Sequence, residues 1–261
     1  MKYRIEILEW DSRFFEKKVC SVVGAIKNED DICSLFSTLQ NEQIDLAYYS
    51  TPEALNDNLH FPDNYSVDFL DKKTTYKKAL GQLTETDPFV RSYNRSAPEP
   101  RLIDLAVESG VFSRFKVDKK IAKEKFEELY RTWLINSLNK TIAKEVLVYQ
   151  PKEEVEGFVT LGEKNGIADI GLIAIDVMNR GKGIGKILMR NAENWFIENT
   201  NYADIQVVTQ GSNIAACRLY ESCGYTVSKV EYTYHIWRQT ANTKSNKTPN
   251  LYNSVAHYAT K

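Results

Sequence analysis

The sequence predicts a protein of the α/β class, more closely α+β, in which a smaller α/β unit precedes a larger one. Hydrophobic residues make up 43% of the 261 residues and aromatic residues 11%, which is enough to bury a substantial core. Strand-type alternation and helix-type spacing of apolar residues follow one another along the chain. A polar, proline-containing stretch at 82–100 separates two such regions.

The first unit is expected to cover residues 1–85. Alternation around Ile5 and Ile7 predicts a strand, and β-branched residues at 19–26 predict another. A helix is expected at 30–40 and a further strand at 44–50. The change to a polar composition after residue 82 places the domain boundary near residue 85.

The second unit, residues 86–239, begins with a short strand at 89–93 and the clearest helix of the chain, at 121–138. Three strand-like runs follow, at 146–149, 155–161 and 167–175. Asn165 and Gly166 separate the last two runs and are typical of a tight hairpin turn. We therefore expect an antiparallel meander in this part of the chain.

After the meander, the pattern predicts a glycine-rich turn, a helix to residue 199, a strand at 203–210 and a helix at 213–222. Two final strands, forming a hairpin, are expected within 225–237. Residues 240–261 are expected to be a linker and tail: 240–250 have almost nothing to bury, and a short terminal segment containing Leu251, Tyr252 and Tyr258 follows.

Composition argues against several functional classes. The 34 basic and 35 acidic side chains nearly balance, which gives no indication of nucleic-acid binding. No apolar run reaches the 18 residues of a membrane span, and the alternating N-terminus does not resemble a signal peptide, so a cytoplasmic location is expected. The four cysteines and three histidines lack the spacing of a metal site, so no metal is expected.

The most informative segment is RGKGIGK, residues 180–186, between a predicted strand and a predicted helix. Its glycines let the backbone approach a ligand closely, and the free amides at the start of a helix bind phosphate. Its three basic residues favour a pyrophosphate. The spacing does not fit a P-loop, which needs G-x-x-x-x-G-K-[ST], and the G-x-G-x-G order after a meander disfavours a Rossmann fingerprint.

The segment fits the pattern [RQ]-x-x-G-x-[GA] through Arg180, Gly183 and Gly185, and so resembles the acyl-CoA pyrophosphate loop of the GNAT acyltransferase superfamily. The order of elements over 89–238 is also similar to a GNAT domain, which implies a mixed central sheet flanked by helices. The runs EWDSRFF (9–15), VFSRFKVD (111–118) and VTQGSNIAACRLYESCGY (208–225) resemble one branch, the dTDP-fucosamine N-acetyltransferases.

This resemblance implies acetyl-CoA as cosubstrate and a dTDP-linked 4-amino-4,6-dideoxy sugar, used in surface polysaccharide synthesis, as acceptor. It allows a homodimer. Two alternatives remain open: a GNAT enzyme acting on a peptide or small-molecule amine, and a non-catalytic module that binds CoA or a nucleotide.

The resemblance also implies roles for individual residues. Tyr220 is the expected general acid, because a phenol with a pKa near 10 stays protonated at neutral pH and can donate to a leaving thiolate. Phe14, Phe15 and Arg114 are expected to bind the nucleotide. No general base is assigned, since Glu163, Asp169, Asp176 and His235 are equally well explained as structural charges. The residues expected to bind acetyl-CoA are Ile173, Ile175, Arg180, Gly181, Lys182, Gly183, Ile184, Gly185, Lys186 and Asn213.

Overall fold

The protein, in a computed structural model that describes residues 3–56, 58–95 and 97–239, is built around one mixed sheet. Within those ranges the sheet has ten strands: β1 (Tyr3–Ile7), β2 (Val19–Gly24), β3 (Leu46–Thr51), β4 (Tyr65–Ala79), β5 (Val90–Ser92), β6 (Glu145–Tyr149), β7 (Gly157–Lys164), β8 (Ile167–Ile175), β9 (Asp204–Gln210) and β10 (Thr226–Arg238). Their order is β1-β2-β3-β10-β4-β9-β8-β7-β6-β5. The pairs β2–β3 and β8–β9 are parallel and the others antiparallel, which confirms the predicted fold class.

Helices cover both faces of the sheet. They are α1 (Glu9–Phe15), α2 (Glu29–Asn41), α3 (Pro100–Ser109), α4 (Arg114–Val117), α5 (Lys123–Leu138), α6 (Ile184–Asn199) and α7 (Ile214–Ser222). On one face, Leu105 of α3 and Leu134 of α5 pack with Phe158 of β7. On the other face, Leu188 and Phe196 of α6 are fully buried in a core shared with strand residues of β7, β8 and β9.

The hairpin between β7 and β8 forms as expected. Asn165 and Gly166 both have positive φ, 54° and 75°, which is the conformation of a two-residue type I′ turn. Asparagine tolerates the left-handed region and glycine adopts it freely, so these two neighbouring residues are enough to specify the turn. The long helix at 121–138 is also present, as Lys123–Leu138.

The expected final hairpin is wrong, because the last strand is continuous. β10 runs through 13 residues and pairs antiparallel with β3 on one side and β4 on the other. A β-bulge between Val227 and Lys229 accounts for the apparent interruption of the pattern. β10 is long because it pairs along its length with β3 and β4, which lie far away in the sequence. The residues of β10 alone do not reveal this pairing.

Strands from both sides of the expected boundary near residue 85 share this sheet, and the boundary itself remains a prediction. β3 and β4, from the first unit, flank β10 from the end of the second. The predicted tail at 240–261 lies outside the described residues. In the ranges that are described, we find no helix both long and apolar enough to cross a membrane.

Candidate active site

The site begins where β8 and β9 separate. The two strands pair only from Ala168 to Ile170 on β8, although β8 continues to Ile175. A bulge causes the separation: Gly171 and Leu172 together stand opposite Thr160 of β7, and the Leu172 amide donates to Thr160 Oγ1 at 2.8 Å. A Cβ on residue 171 would lie 2.7 Å from that oxygen, so a larger residue there would have to displace the Thr160 side chain. The diverging strands leave the β9-facing edge of β8 open to a ligand.

The glycine loop leads from this opening into α6. Gly181 and Gly183 have φ of 76° and 87°, a conformation that side chains with a Cβ rarely adopt. The first intrahelical bond of α6 runs from the Ile187 amide to the Gly183 carbonyl, so the amides of residues 183–186 have no acceptor within the helix. These amides lie at the positive end of the α6 dipole, where a phosphate binds favourably.

Gly185 contributes to the loop in a different way, through close packing. A Cβ there would lie 3.0 Å from Leu219 Cδ2, closer than ordinary van der Waals contact, so glycine lets α6 and α7 approach one another. The loop is thus held between the end of β8 and the middle of α7.

Local contacts also fix two basic residues of the loop. Arg180 Nη2 lies 2.6 Å from Glu108 Oε1, and its Nε donates to the Ile175 carbonyl at 3.1 Å. Lys182 Nζ donates to Asn179 Oδ1 at 2.6 Å, and Lys182 is the one expected CoA residue that does not line the cleft described next.

A cleft of about 1400 Å³ extends from the glycine loop across the opening to the first unit. Its donor side, as we name it, contains the glycine loop, the end of β8 and the start of α7. Its acceptor side lies over β2, β3, β10 and β4. The expected site residues that line it are Arg114, Ile173, Ile175, Arg180, Gly181, Gly183, Ile184, Gly185, Lys186, Asn213 and Tyr220.

Tyr220 lies at the donor side of the cleft with only 2% of its surface exposed. Burial, reinforced by the thiols of Cys217 and Cys223, raises the pKa of its phenol well above the ordinary value, so the hydroxyl is protonated at neutral pH. Asn213 caps α7, its Oδ1 accepting from the Ala216 amide at 3.2 Å, and also lines the cleft. Both residues therefore line the same cleft, and their roles remain predictions.

Arg114 is the charged centre of the acceptor side. Its guanidinium stacks over the ring of Tyr48, 3.9 Å from the centroid, and over Phe115 at 4.5 Å. Its Nη1 lies 3.5 Å from His235 Nε2. Burial lowers the pKa of His235 to about 4, so the imidazole is neutral, and its Nδ1 lies 2.6 Å from Asp118 Oδ2. We assign the proton to Nδ1, which leaves Nε2 to accept from Arg114.

The structure corrects the expectation for Phe14 and Phe15, since neither lines the cleft. Phe15 is 9% exposed and stacks on Phe115 at 6.0 Å, while Phe14 stacks on Trp10 at 5.0 Å. The two rings pack in the layer behind Arg114, because α1 turns them toward the core and away from the ligand space.

The four groups weighed as a base also lie outside the cleft lining. Asp176 pairs with Arg101, Glu163 accepts from Tyr202, and Asp169 accepts from Gln206. His235 is neutral and fully buried. Their contacts are structural within the described residues.

Asp71, which the sequence analysis missed, lines the acceptor side and is 7% exposed. The apolar residues of β4 fall on odd positions at Tyr65, Val67 and Phe69 and on even positions at Leu70 and Tyr76, a change of phase that indicates a bulge near residue 70. That change of phase is the signal by which the sequence could have identified it.

Comparison with protein-family models matches residues 112–225 to the acetyltransferase (GNAT) family. The chain is similar to the spore coat polysaccharide biosynthesis protein SpsD of Bacillus subtilis (strain 168), with 27% identity over 244 residues, 87% of this chain and 81% of that protein. A streptothricin acetyltransferase of Escherichia coli is 32% identical over 92 residues, 34% of this chain and 52% of that protein.

Solved structures are similar in fold. One described as a GNAT-family acetyltransferase from Novosphingobium aromaticivorans DSM 12444 has a TM-score of 0.52 at 16% identity and covers 84% of each chain. A GCN5-related N-acetyltransferase from Sphaerobacter thermophilus has a TM-score of 0.53 at 14% identity and covers 92% of this chain and 78% of the other.

Proposed function

We propose that this chain, an acyl-CoA-dependent N-acyltransferase with a GNAT acetyltransferase domain at residues 112–225, acetylates a sugar amine. The acceptor that we propose is a dTDP-linked 4-amino-4,6-dideoxy sugar. The observation that carries the proposal is the continuous cleft, which joins the glycine loop at the start of α6 to the half-buried Arg114. The spore coat polysaccharide relative supports a sugar acceptor.

The donor side fits acetyl-CoA. The free amides of Gly183 and Gly185 offer hydrogen bonds to a diphosphate, and Lys186 adds a positive charge beside them. The unpaired edge of β8 near Ile173 offers backbone groups to an extended pantetheine arm and an amide to the thioester oxygen. A ligand held in this way directs its sulfur toward Tyr220.

The acceptor side fits a nucleotide-linked sugar. Arg114 supplies a planar, fixed cation for a diphosphate oxygen. The hydroxyl-bearing residues Ser21, Ser50 and Thr233, which line the same region, suit the hydroxyl groups of a sugar ring. Both chemical features of the acceptor thus have partners on this side of the cleft.

The reaction proceeds by direct attack of the amine nitrogen on the thioester carbonyl. A carbon–nitrogen bond forms, the carbon–sulfur bond breaks, and Tyr220 donates a proton to the leaving sulfur. Transfer from a phenol of pKa about 10 to a thiolate whose conjugate acid has a pKa of about 8.5 is uphill by roughly 2 kcal/mol, and burial of Tyr220 increases this difference. Tyr220 therefore stabilises the developing thiolate by hydrogen bonding, and loss of the proton on nitrogen drives the transfer to completion.

The test is incubation with acetyl-CoA and the dTDP-4-amino-4,6-dideoxy sugars of galacto and gluco configuration, followed by thiol release and product mass. We expect one added acetyl group with at least one epimer, and a rise in Tm on adding dTDP alone. Absence of both effects would overturn the proposal.

A second candidate is acetylation of a small-molecule amine, which the similarity to a streptothricin acetyltransferase favours. This alternative predicts turnover of a non-nucleotide amine and no rise in Tm with dTDP. The same pair of measurements therefore separates the two candidates.

A further inference from the structure

The carboxylate of Asp71 is an ionisable group on the acceptor side of the cleft to which no role has yet been assigned. It lies on β4, outside the segment matched to the acetyltransferase family, so that match assigns it nothing. We propose, on the basis of the function proposed above, that Asp71 is the general base that removes the proton from the acceptor amine.

A bulge in β4 positions Asp71. Thr233 of β10 pairs with Asp71, whereas the next residue, Tyr234, pairs with Phe69, so one extra residue of β4 lies between them. Phe69 packs against Tyr232 and Tyr234 on the face covered by α2. The extra residue reverses the alternation, and Asp71 consequently faces the opposite side, toward the cleft.

Asp71 and Tyr220 approach the opening from opposite faces of the sheet. Tyr76 of β4 contacts the Tyr220 ring at 5.6 Å. Tyr76 lies five positions after Asp71 on a stretch of β4 that has no extra residue, since the bulge opposite it is on β10, so the two side chains point to opposite faces. An amine that enters from the acceptor side would pass Asp71 before it reaches the thioester. The departing sulfur, on the donor side of the thioester, would lie next to Tyr220. Base and acid are thus separated as the reaction requires.

One oxygen of the Asp71 carboxylate has no partner in the protein. Oδ1 of Asp71 is buried and makes no hydrogen bond to any residue that the structure describes. A buried polar atom without a partner is rare and unfavourable, because it has lost water and gained nothing in exchange. An N–H of a bound amine would supply the missing partner.

The charges around Asp71 suit a base that acts near neutral pH. Burial raises the pKa of Asp71 to about 7, against the opposing effect of Arg114 from α4 and Lys73 from its own strand. On β10, Glu231 is held by Lys73 at 3.3 Å and Lys229 at 2.8 Å. Two further groups on this side, Tyr48 of β3 and His235 of β10, are neutral at this pH, since burial raises the pKa of the phenol and lowers that of the imidazole.

The proton balance of the step is complete. The nitrogen loses one proton to the Asp71 carboxylate as the carbon–nitrogen bond forms, and the sulfur gains one from Tyr220 as the carbon–sulfur bond breaks. Asp71 then releases its proton to solvent and Tyr220 takes one from solvent, which restores both groups.

The test compares Asp71→Asn with Asp68→Asn, a matched change on the same strand at a residue that does not line the cleft. Asp71→Asn should lower kcat by roughly 10²-fold or more, with the Kd for acetyl-CoA within two-fold of wild type. Its residual rate should keep rising with pH where the wild-type rate levels off above about pH 7. Asp68→Asn should stay within two-fold of wild type.

Retention of kcat by Asp71→Asn, or a reduced rate with the wild-type pH profile, would overturn the assignment. Asp71→Ser, assayed in the same way, serves if the Asn variant does not fold. Wild-type inactivity toward both dTDP-amino sugars is a different result, because it overturns the proposed acceptor; the Asp71 comparison is then made with whichever amine the wild type acetylates.

Discussion

The ring of Tyr220 on α7 lies 5.6 Å from the ring of Tyr76 on β4, and the Tyr76 hydroxyl donates to Glu221 Oε1 at 2.9 Å. The residue proposed as general acid is therefore held in place by a strand that belongs to the first unit of the sequence. The same strand carries Asp71. One strand thus links the two groups that the proposed reaction needs.

Replacing Tyr220 with Phe should lower kcat by roughly 10²-fold or more, because the leaving thiolate loses its proton donor. The affinity for acetyl-CoA, measured by calorimetry, should stay near wild type. Tyr225→Phe is the matched control, since the Tyr225 ring lies 6.3 Å from Tyr220, is equally buried and does not line the cleft. Unchanged turnover in Tyr220→Phe, with chemistry rate-limiting, would remove Tyr220 from the mechanism.

Replacing Gly183 with Val should weaken acetyl-CoA binding by roughly ten-fold or more, because a β-branched residue disfavours φ of 87° and would shift the loop amides. Gly166→Val is the control: φ there is 75°, no atom would crowd the new Cβ, and Gly166, in the β7–β8 turn, does not line the cleft. Calorimetry should show weakened binding only for the Gly183 variant. Equal affinity in a folded Gly183→Val protein would contradict the loop assignment.

The parts that the sequence predicted well are those fixed by neighbouring residues. The Asn165-Gly166 turn and the glycine loop at 180–186 depend on backbone conformations that only a few residue types adopt. The cap of α7 at Asn213 likewise depends on a side chain three residues from its partner. Such signals require no knowledge of the rest of the fold.

The parts that it missed depend on distant pairing. β10 is a single long strand because β3 and β4 enclose it, and both lie more than 140 residues earlier in the chain. Asp71 reaches the cleft through a bulge in that same pairing, and Phe15 packs behind Arg114 through a contact 100 residues apart. Residue type alone does not distinguish these positions from ordinary surface or core.

The pH dependence of stability should carry a contribution from Asp71. In the unfolded chain its pKa returns to about 3.9, whereas burial raises it to about 7 in the native state. Between these values the native state binds a proton that the unfolded state does not, so this contribution to the free energy of unfolding decreases as pH rises, by as much as roughly 4 kcal/mol. Above pH 7 the full penalty of the buried charge remains.

Asp71→Asn should therefore be more stable than wild type at pH 8, and the difference should be smaller at pH 5. Urea denaturation at both values measures it. His235, whose pKa is lowered to about 4, changes stability in the opposite direction between pH 4 and 6.5, but it is present in both proteins and does not enter the difference. A difference that is the same at both pH values would show that Asp71 does not titrate in this range.

Arg114 should control both acceptor binding and the pH at which Asp71 acts. Its charge is the strongest of those that lower the pKa of Asp71, so Arg114→Met should move the rise of kcat/KM to higher pH. The same change should raise KM for the nucleotide sugar but leave the Kd for acetyl-CoA near wild type. Arg101→Met is the control, because Arg101 pairs with Asp176 and does not line the cleft. A raised KM with an unchanged pH profile would show that Arg114 binds the acceptor but does not influence the pKa of the catalytic carboxylate, which would contradict the predicted coupling to Asp71.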